Sequence, residues 1–190
     1  MPEANFEQRK SDVLKKGDKS SVGKWDEKIE ALCGKINRKT DYYTTSSCSG
    51  RALLMVDKPA KDRRLSLWVS HDRVRFNELN SEIRRVSKEY SVKFKVDPPI
   101  IHVICRDFDS ARKLLDAGFG SGWKNSGAIS MGKNIVIELR GTEKLELPVI
   151  DNGRVPVSQE PIKLLAEKSN LKIKKGWKLI RDLSNLVSLL

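Results

Sequence analysis

The spacing of apolar residues along the 190-residue chain predicts helices that alternate with strands. The clearest helix contains Trp25, Ile29, Leu32, Cys33 and Ile36, because these positions recur every three or four residues and so share one face. The same spacing predicts further helical segments at 5–16, at 76–90, at 109–118 with Asp109 as N-cap, and in a C-terminal region of about 158–190 that Gly176 should kink or split.

Short apolar or alternating runs predict the strands. The run from Ile100 to Cys105 is too apolar for a strand with one wet face, so we expect it to be buried on both faces. The segments 52–56 and 65–69 should pair as a hairpin. Further strands are predicted at 92–96, 135–139 and 145–150. Residues 1–190 are therefore expected to form a single domain of the α/β class, with a mixed β-sheet and packed helices.

The charge of the chain indicates a polyanionic partner. Lys and Arg number 37 against 25 Asp and Glu, which gives a net charge of +12 and a pI near 9.7. Nucleic acid is favoured over membrane, because no apolar run approaches the ~20 residues of a spanning helix. The polar start of the chain has no export signal, so we expect a cytoplasmic protein. Three cysteines without C-x-x-C spacing indicate reduced thiols rather than a disulfide framework.

The segment 44–51, TTSSCSGR, has the composition of a binding loop. A run of small hydroxyl and thiol side chains ends in Gly50 and Arg51, so a ligand could approach closely and form hydrogen bonds along the run. A Ser/Thr-rich turn whose hydroxyls bond to their own backbone would have the same composition. Both interpretations remain open on composition alone.

Nucleotide-binding glycine motifs are missing or misplaced. The G-x-G-x-G string at 118–122 follows a predicted helix, whereas a Rossmann-type site needs its glycines after a strand and before a helix. We therefore expect a non-Rossmann fold, with Gly118 as the C-cap of its helix. The sequence also lacks the G-x-x-x-x-G-K-[ST] loop that cradles nucleotide phosphates.

His71 and His102 are the two histidines of the chain and the natural candidates for proton transfer near neutral pH. His71 ends a predicted strand, while His102 lies inside the apolar run and could be a core residue with backbone partners. A metal site of both histidines with Cys48 and Cys105 fits by residue type, but no spacing supports it and we predict none. Asp26, at a helix start, could serve only the helix dipole.

Six segments in order resemble the tRNA wybutosine-synthesis methyltransferases, the family with the S/T-x-S-S-C-x-G-R signature. They are YYTTSSCSGR, the strand ending in VSH, PPIIHVICR, SGWKNSGAI, LELPV and the last-helix string LAEKSN. The resemblance implies a distinct α/β fold that uses S-adenosylmethionine to methylate a 4-demethylwyosine-type tricyclic guanosine beside the anticodon of phenylalanine tRNA.

The resemblance also implies the site residues. The signature loop, an aspartate and a histidine form the catalytic centre of the family, which places Asp26 and either His71 or His102 in catalytic roles. Motifs do not separate the two histidines. The adenine of the donor could rest on Trp68 or Trp123. The signature residues expected to bind the donor or the base are Thr44, Ser46, Ser47, Cys48, Gly50 and Arg51. The alternative is a non-catalytic RNA-binding module that recognises a modified anticodon arm.

Overall fold

In a computed structural model, the protein is described at residues 3–16, 26–57, 65–86, 91–156 and 158–189. Trp25 and Tyr90, both predicted in helices, lie outside these residues. The helices are α1 (Glu3–Lys15), α2 (Glu27–Arg38), α3 (Phe76–Val86), α4 (Phe108–Gly120) and α5 (Gln159–Leu186), and a 3₁₀ turn, Val187–Leu189, follows α5. The strands are β1 (Tyr42–Cys48), β2 (Arg51–Val56), β3 (Ser66–Ser70), β4 (Val92–Asp97), β5 (Ile100–Cys105), β6 (Gly127–Met131), β7 (Ile135–Arg140) and β8 (Leu145–Ile150).

The chain divides into two compact units, each with its own four-stranded sheet. The first unit comprises Met1–Ser49, Pro99–Thr142 and Gly176–Leu190, with strand order β1-β5-β7-β6. The second unit comprises Gly50–Pro98 and Glu143–Lys175, with strand order β3-β2-β4-β8.

The α/β, non-Rossmann class is confirmed, but the sheet arrangement differs from the expected mixed sheet. Every strand pair in the described part of the chain is antiparallel, and β2 and β3 form the predicted hairpin. Strand β4 ends just before Pro98 and Pro99, and the next strand, β5, belongs to the other sheet. Parallel pairing of two neighbouring strands would need a long crossover connection between them. A single domain over residues 1–190 remains a prediction.

The sheet of the first unit is covered on both faces. On one face, α2, α4 and the end of α5 enclose a core that includes Leu32, Leu114 and Leu183. On the other face, Phe6 of α1 packs edge-on against Tyr43, with ring centroids 5.3 Å apart, beside Ile104. The part of β5 near Ile104 is therefore buried on both faces, as its apolar sequence predicts, whereas His102 is only half-buried.

Arg106 attaches α1 to the end of this sheet. Its Nε donates to Asp41 at 2.8 Å, its guanidinium also pairs with Glu7, and its charge lies 4.6 Å from the centre of the Phe6 ring. These contacts fix α1 near one end of the sheet face.

The helix α4 begins with a reciprocal cap made by Asp107, not by Asp109 as the sequence suggested. The Asp107 carboxylate accepts the Ser110 N–H at 2.8 Å, and the Ser110 hydroxyl accepts the Asp107 N–H at 3.1 Å. Hydrogen bonds from the Ser110 backbone and side chain lower the pKa of Asp107. Gly118 lies inside this helix and Ser121 is its C-cap.

The last helix continues through Gly176 and is not split there, while the expected kink stays a prediction. A Cβ at this position would lie 3.0 Å from the Cδ of Pro99, so the glycine allows close packing. In the second unit, Asn170 of α5 accepts the Val74 N–H and donates to the Val74 carbonyl, at 2.8 and 2.9 Å. Among the described residues, no helix has both the length and the apolar character needed to cross a membrane.

Candidate active site

The signature segment is mainly strand, not the loop that its composition suggested. Thr44–Cys48 belong to β1, Arg51 opens β2, and only Ser49 and Gly50 connect the two strands. Because β1 pairs with β5, the strand ladder engages the backbone of the hydroxyl-rich run. Gly50 has φ = +93°, a backbone conformation that favours glycine, so the turn itself accounts for this signature position.

A bulge at Thr45 divides the signature side chains between the two faces of the sheet. The register pairs Thr44 with Val103 and Ser47 with Ile101, both of which lie in the core on the α2 and α4 side. Ser46 pairs with His102, on the opposite face. Alternation along a strand, interrupted by one extra residue, therefore places Thr44 and Ser47 on one side and Ser46 on the other.

Thr44 is held by Asn37 of α2. Its backbone N–H donates to the Asn37 side-chain oxygen at 2.8 Å, and its Oγ1 lies 3.0 Å from the donating Asn37 Nδ2. Thr44 is 4% exposed and Ser47 is also buried. Thr44 thus anchors β1 to α2, and donor binding by Thr44 and Ser47 stays a prediction.

Ser46, His102 and Glu138 form a hydrogen-bonded row across three strands. Ser46 Oγ lies 2.8 Å from His102 Nδ1, and His102 Nε2 lies 2.8 Å from Glu138 Oε2. The register pairs Ser46 of β1 with His102 of β5, and His102 with Glu138 of β7. His102 and Glu138 keep 28% and 21% of their side-chain surface exposed, so the row is partly open to solvent.

Glu138 was missed by the sequence analysis. It alternates with apolar residues in the string IVIELR and reads there as an ordinary outward-facing strand residue. Its partner His102 is 36 residues away and is identified only by the register between β5 and β7. Arg140, two residues further along β7, lies 3.8 Å from the other Glu138 oxygen.

Asp26 does more than start a helix. It is the N-cap of α2, but its side chain makes no capping bond, and Oδ2 instead accepts the Ser49 N–H at 2.8 Å. The predicted catalytic aspartate is therefore bonded to Ser49, the residue at the free position of the signature between Cys48 and Gly50. The Ser49 hydroxyl is buried and has no hydrogen-bond partner within the described part of the chain.

In the second unit, Arg51 and His71 occupy the same end of the β2–β3 hairpin. Ala52 pairs with Ser70, so their neighbours Arg51 and His71 follow at the next register position. The Arg51 Nε donates to Asp97 Oδ2 at 3.3 Å, and this pair is partly exposed. In the first unit, the structure thus brings Ser46 together with His102, and Asp26 together with Ser49. In the second unit, Arg51 contacts Asp97.

Trp123 cannot be the aromatic platform suggested by the sequence. Its side chain is fully buried in the core of the first unit, and its Nε1 donates to the Leu179 carbonyl at 3.1 Å. Trp68 of β3 is partly buried and remains a candidate. Cys33, Cys48 and Cys105 are reduced and form no disulfide, and burial raises the pKa of Cys105 to about 12.

Comparisons with known proteins agree on one family. Residues 8–188 match the family described as Methyltransferase TYW3. The tRNA(Phe) 7-((3-amino-3-carboxypropyl)-4-demethylwyosine(37)-N(4))-methyltransferase of Methanocaldococcus jannaschii is 32% identical over 164 residues, covering 84% of each chain. The similarly named methyltransferase 1 of Pyrococcus abyssi is 33% identical, covering 90% of each chain.

A solved structure shows the same fold. The PH1069 protein from Pyrococcus horikoshii superimposes with a TM-score of 0.88 at 28% identity, covering 98% of this chain and 96% of that one. A hypothetical protein from Aeropyrum pernix gives a TM-score of 0.74 at 26% identity, covering 87% of this chain and 99% of its own.

Proposed function

This chain belongs to the Methyltransferase TYW3 family, and we propose that it transfers a methyl group from S-adenosylmethionine to a 4-demethylwyosine-type guanosine in phenylalanine tRNA. The family makes it a methyltransferase. The names of the archaeal relatives support the finer statement, because they specify tRNA(Phe), position 37 and the N4 atom of the base. Position 37 lies beside the anticodon.

The hydrogen bond between His102 and Ser46 is the observation that carries the proposed chemistry. Methylation of a ring nitrogen that bears a proton requires a base, since the proton must leave as the new N–C bond forms. A neutral imidazole held 2.8 Å from a signature hydroxyl supplies such a base. We therefore propose His102 as the base. Asp26 is the other candidate within the first unit, and His71 stays a predicted catalytic residue.

The signature also offers a polar group for the methyl donor. When bound, S-adenosylmethionine supplies an electrophilic methyl group on a sulfonium. The Ser49 hydroxyl is 1% exposed and has no partner among the described residues, which is costly unless a ligand or water completes its hydrogen bonding. We propose that Ser49 contacts the polar end of the donor, beside the Asp26 carboxylate that already holds its N–H.

The six signature positions predicted to bind the donor divide by their surroundings. Thr44 and Ser47 are buried on the helix side and support the strand, and Gly50 provides the turn. Ser46 lies on the opposite face, bonded to His102. Cys48, which is partly buried, and Arg51 remain predicted donor-binding or substrate-binding residues.

A tRNA partner fits the charge of the chain. The net charge of +12 favours binding to phosphates through counterion release. On α5, Lys163, Lys168 and Lys174 are exposed and available for such contacts. Lys172 and Lys175 instead pair with Glu143 at 3.2 and 3.5 Å.

Calorimetry and methyl transfer together test this function. We expect purified protein to bind S-adenosylmethionine without RNA and then to transfer labelled methyl to tRNA(Phe) that carries the demethylated tricyclic base. His102→Gln should retain donor binding and lose transfer. Binding of that tRNA without any donor binding or transfer would instead indicate a non-catalytic RNA-binding module, which the comparisons do not support.

A further inference from the structure

We infer that Ser46, His102 and Glu138 form a proton relay in which the Ser46 hydroxyl, not the imidazole, meets the proton leaving the substrate. In this relay Glu138 is a positioning residue that acts through His102. The inference rests on the proposed function and adds two assignments to it. Ser46 moves from donor binding to proton transfer, and Glu138 joins the site.

The direction of the two hydrogen bonds follows from the chemistry of the partners. An ionised carboxylate can only accept, so the Glu138 oxygen at 2.8 Å requires the His102 proton to lie on Nε2. The neutral ring then has an unprotonated Nδ1, which accepts from the Ser46 hydroxyl at 2.8 Å. Glu138 thereby selects the tautomer that can receive a proton from Ser46.

Both ring nitrogens of His102 are occupied in this arrangement. Nδ1 faces Ser46 of β1 and Nε2 faces Glu138 of β7, so a substrate reaches the imidazole only through one of these two side chains. Glu138 faces the Arg140 guanidinium at 3.8 Å with its second oxygen. The Ser46 hydroxyl, which keeps its lone pairs while it donates to His102, is the remaining route.

The charges around His102 suit a transient imidazolium. The charged groups of this row are Glu138, whose Oε2 is adjacent to the ring, and Arg140, which lies 3.8 Å from the Glu138 Oε1. Ser46 contributes a neutral hydroxyl from β1. A carboxylate at hydrogen-bonding distance compensates the positive charge that the ring gains in the step.

The proposed step balances as a displacement coupled to two proton shifts. The N–H bonding pair of the base forms the new N–CH₃ bond, and the electrons of the broken S–CH₃ bond stay on sulfur. The proton from the base nitrogen moves to Ser46 Oγ as the hydroxyl proton moves to His102 Nδ1. His102 ends as an imidazolium bonded to Glu138, and solvent later removes the proton.

Nitrogen-15 NMR of histidine-labelled protein tests the relay without any substrate. The chain has only two histidines, so His102→Gln assigns the spectrum directly. We expect the His102 ring of the wild type to be the Nε2–H tautomer at neutral pH. Glu138→Gln should keep this tautomer, because the amide oxygen still accepts, whereas Glu138→Ala should give a mixture. A wild-type spectrum with the Nδ1–H tautomer would overturn the inference.

Single-turnover kinetics test the catalytic role of the same variants. We expect Glu138→Ala to slow methyl transfer about 10- to 100-fold, less than most of the ~100- to 10,000-fold that a positioned base itself contributes, because Glu138 acts only through His102. The affinity for donor and tRNA should be unchanged. Glu138→Gln should lose less, because the amide oxygen can still accept the His102 Nε2 proton.

Glu143→Ala is the matched control. Glu143 has the same 21% side-chain exposure as Glu138 and also forms ion pairs, with Lys172 and Lys175, but it lies in the second unit. We expect this variant to transfer methyl at the wild-type rate. A Glu138→Ala rate within about twofold of wild type would overturn the relay and leave the proposed function standing. A wild-type protein that binds donor and tRNA but transfers no methyl would refute the proposed function itself.

Discussion

Replacing Thr44 by valine separates structural from functional residues within the signature. The change removes the hydroxyl that lies 3.0 Å from Asn37 Nδ2 and keeps the β-branched shape that suits a strand. The Thr44 N–H bond to Asn37 remains, but the Asn37 amide N–H loses its partner at a site where Thr44 is 4% exposed. Because Asn37 itself is only partly buried, water can replace part of the lost bond, so we expect a cost of about 0.5–1.5 kcal/mol, the net contribution of a typical hydrogen bond.

Urea titration and thermal melting measure this loss. For a chain of this size, 1 kcal/mol corresponds to about 2–4 °C, so Thr44→Val should melt about 1–6 °C lower. Thr45→Val is the matched control, because the Thr45 hydroxyl makes only a long 3.5 Å bond to the His102 carbonyl, and we expect a smaller effect. Below its melting temperature, Thr44→Val should bind donor and transfer methyl normally. Unchanged stability with lost donor affinity would refute the division of the signature between two faces.

Three further changes have defined outcomes. In Asp26→Asn, the amide oxygen can still accept the Ser49 N–H, so the single-turnover rate of methyl transfer should stay within about tenfold of wild type. A loss of about 100-fold or more would identify Asp26 as the base. Asp107→Ala should destabilise the protein by about 0.5–2 kcal/mol at pH 7 through loss of the α4 cap. Ser110 lowers the pKa of Asp107 in the folded state, so the cap stabilises the protein fully above the pKa of an unfolded Asp, about 4. In urea titrations, the difference in stability between wild type and Asp107→Ala should therefore shrink as the pH falls below about 4. Filter binding should show tRNA affinity falling at least ~10-fold between 50 and 200 mM salt, and a flat response would contradict binding through phosphates.

The apolar spacing was sufficient for most elements. Helix α2 and strands β2, β4, β5, β7 and β8 lie close to their predicted positions, because each has a buried face that imposes a period of 3.6 or 2 on the sequence. Strand β6 was missed, since four of its five residues are exposed and no alternation marks them. The division into two antiparallel sheets was also missed, because apolar spacing identifies strands but not which strands pair.

The signature segment is mostly strand, whereas its composition predicted a loop. Small hydroxyl side chains favour turns on composition, yet pairing with β5 overrides this preference in β1. The bond between Ser46 and His102 and the one between His102 and Glu138 join residues 56 and 36 positions apart. Such contacts depend on strand register, and no local pattern in the string IVIELR distinguishes Glu138 from any other outward-facing carboxylate.

Analysis of nucleoside 37 after reaction is the direct test of the proposed methyl transfer to the tricyclic base. Purified protein would be incubated with S-adenosylmethionine and tRNA(Phe) carrying the demethylated tricyclic base, and the digested nucleosides would be identified by mass spectrometry. We expect one added methyl group at N4 of this base with wild-type protein, and none with His102→Gln. An unmethylated base with wild-type protein that binds both donor and tRNA, or a methyl group at another nucleoside, would contradict the proposed methyl transfer.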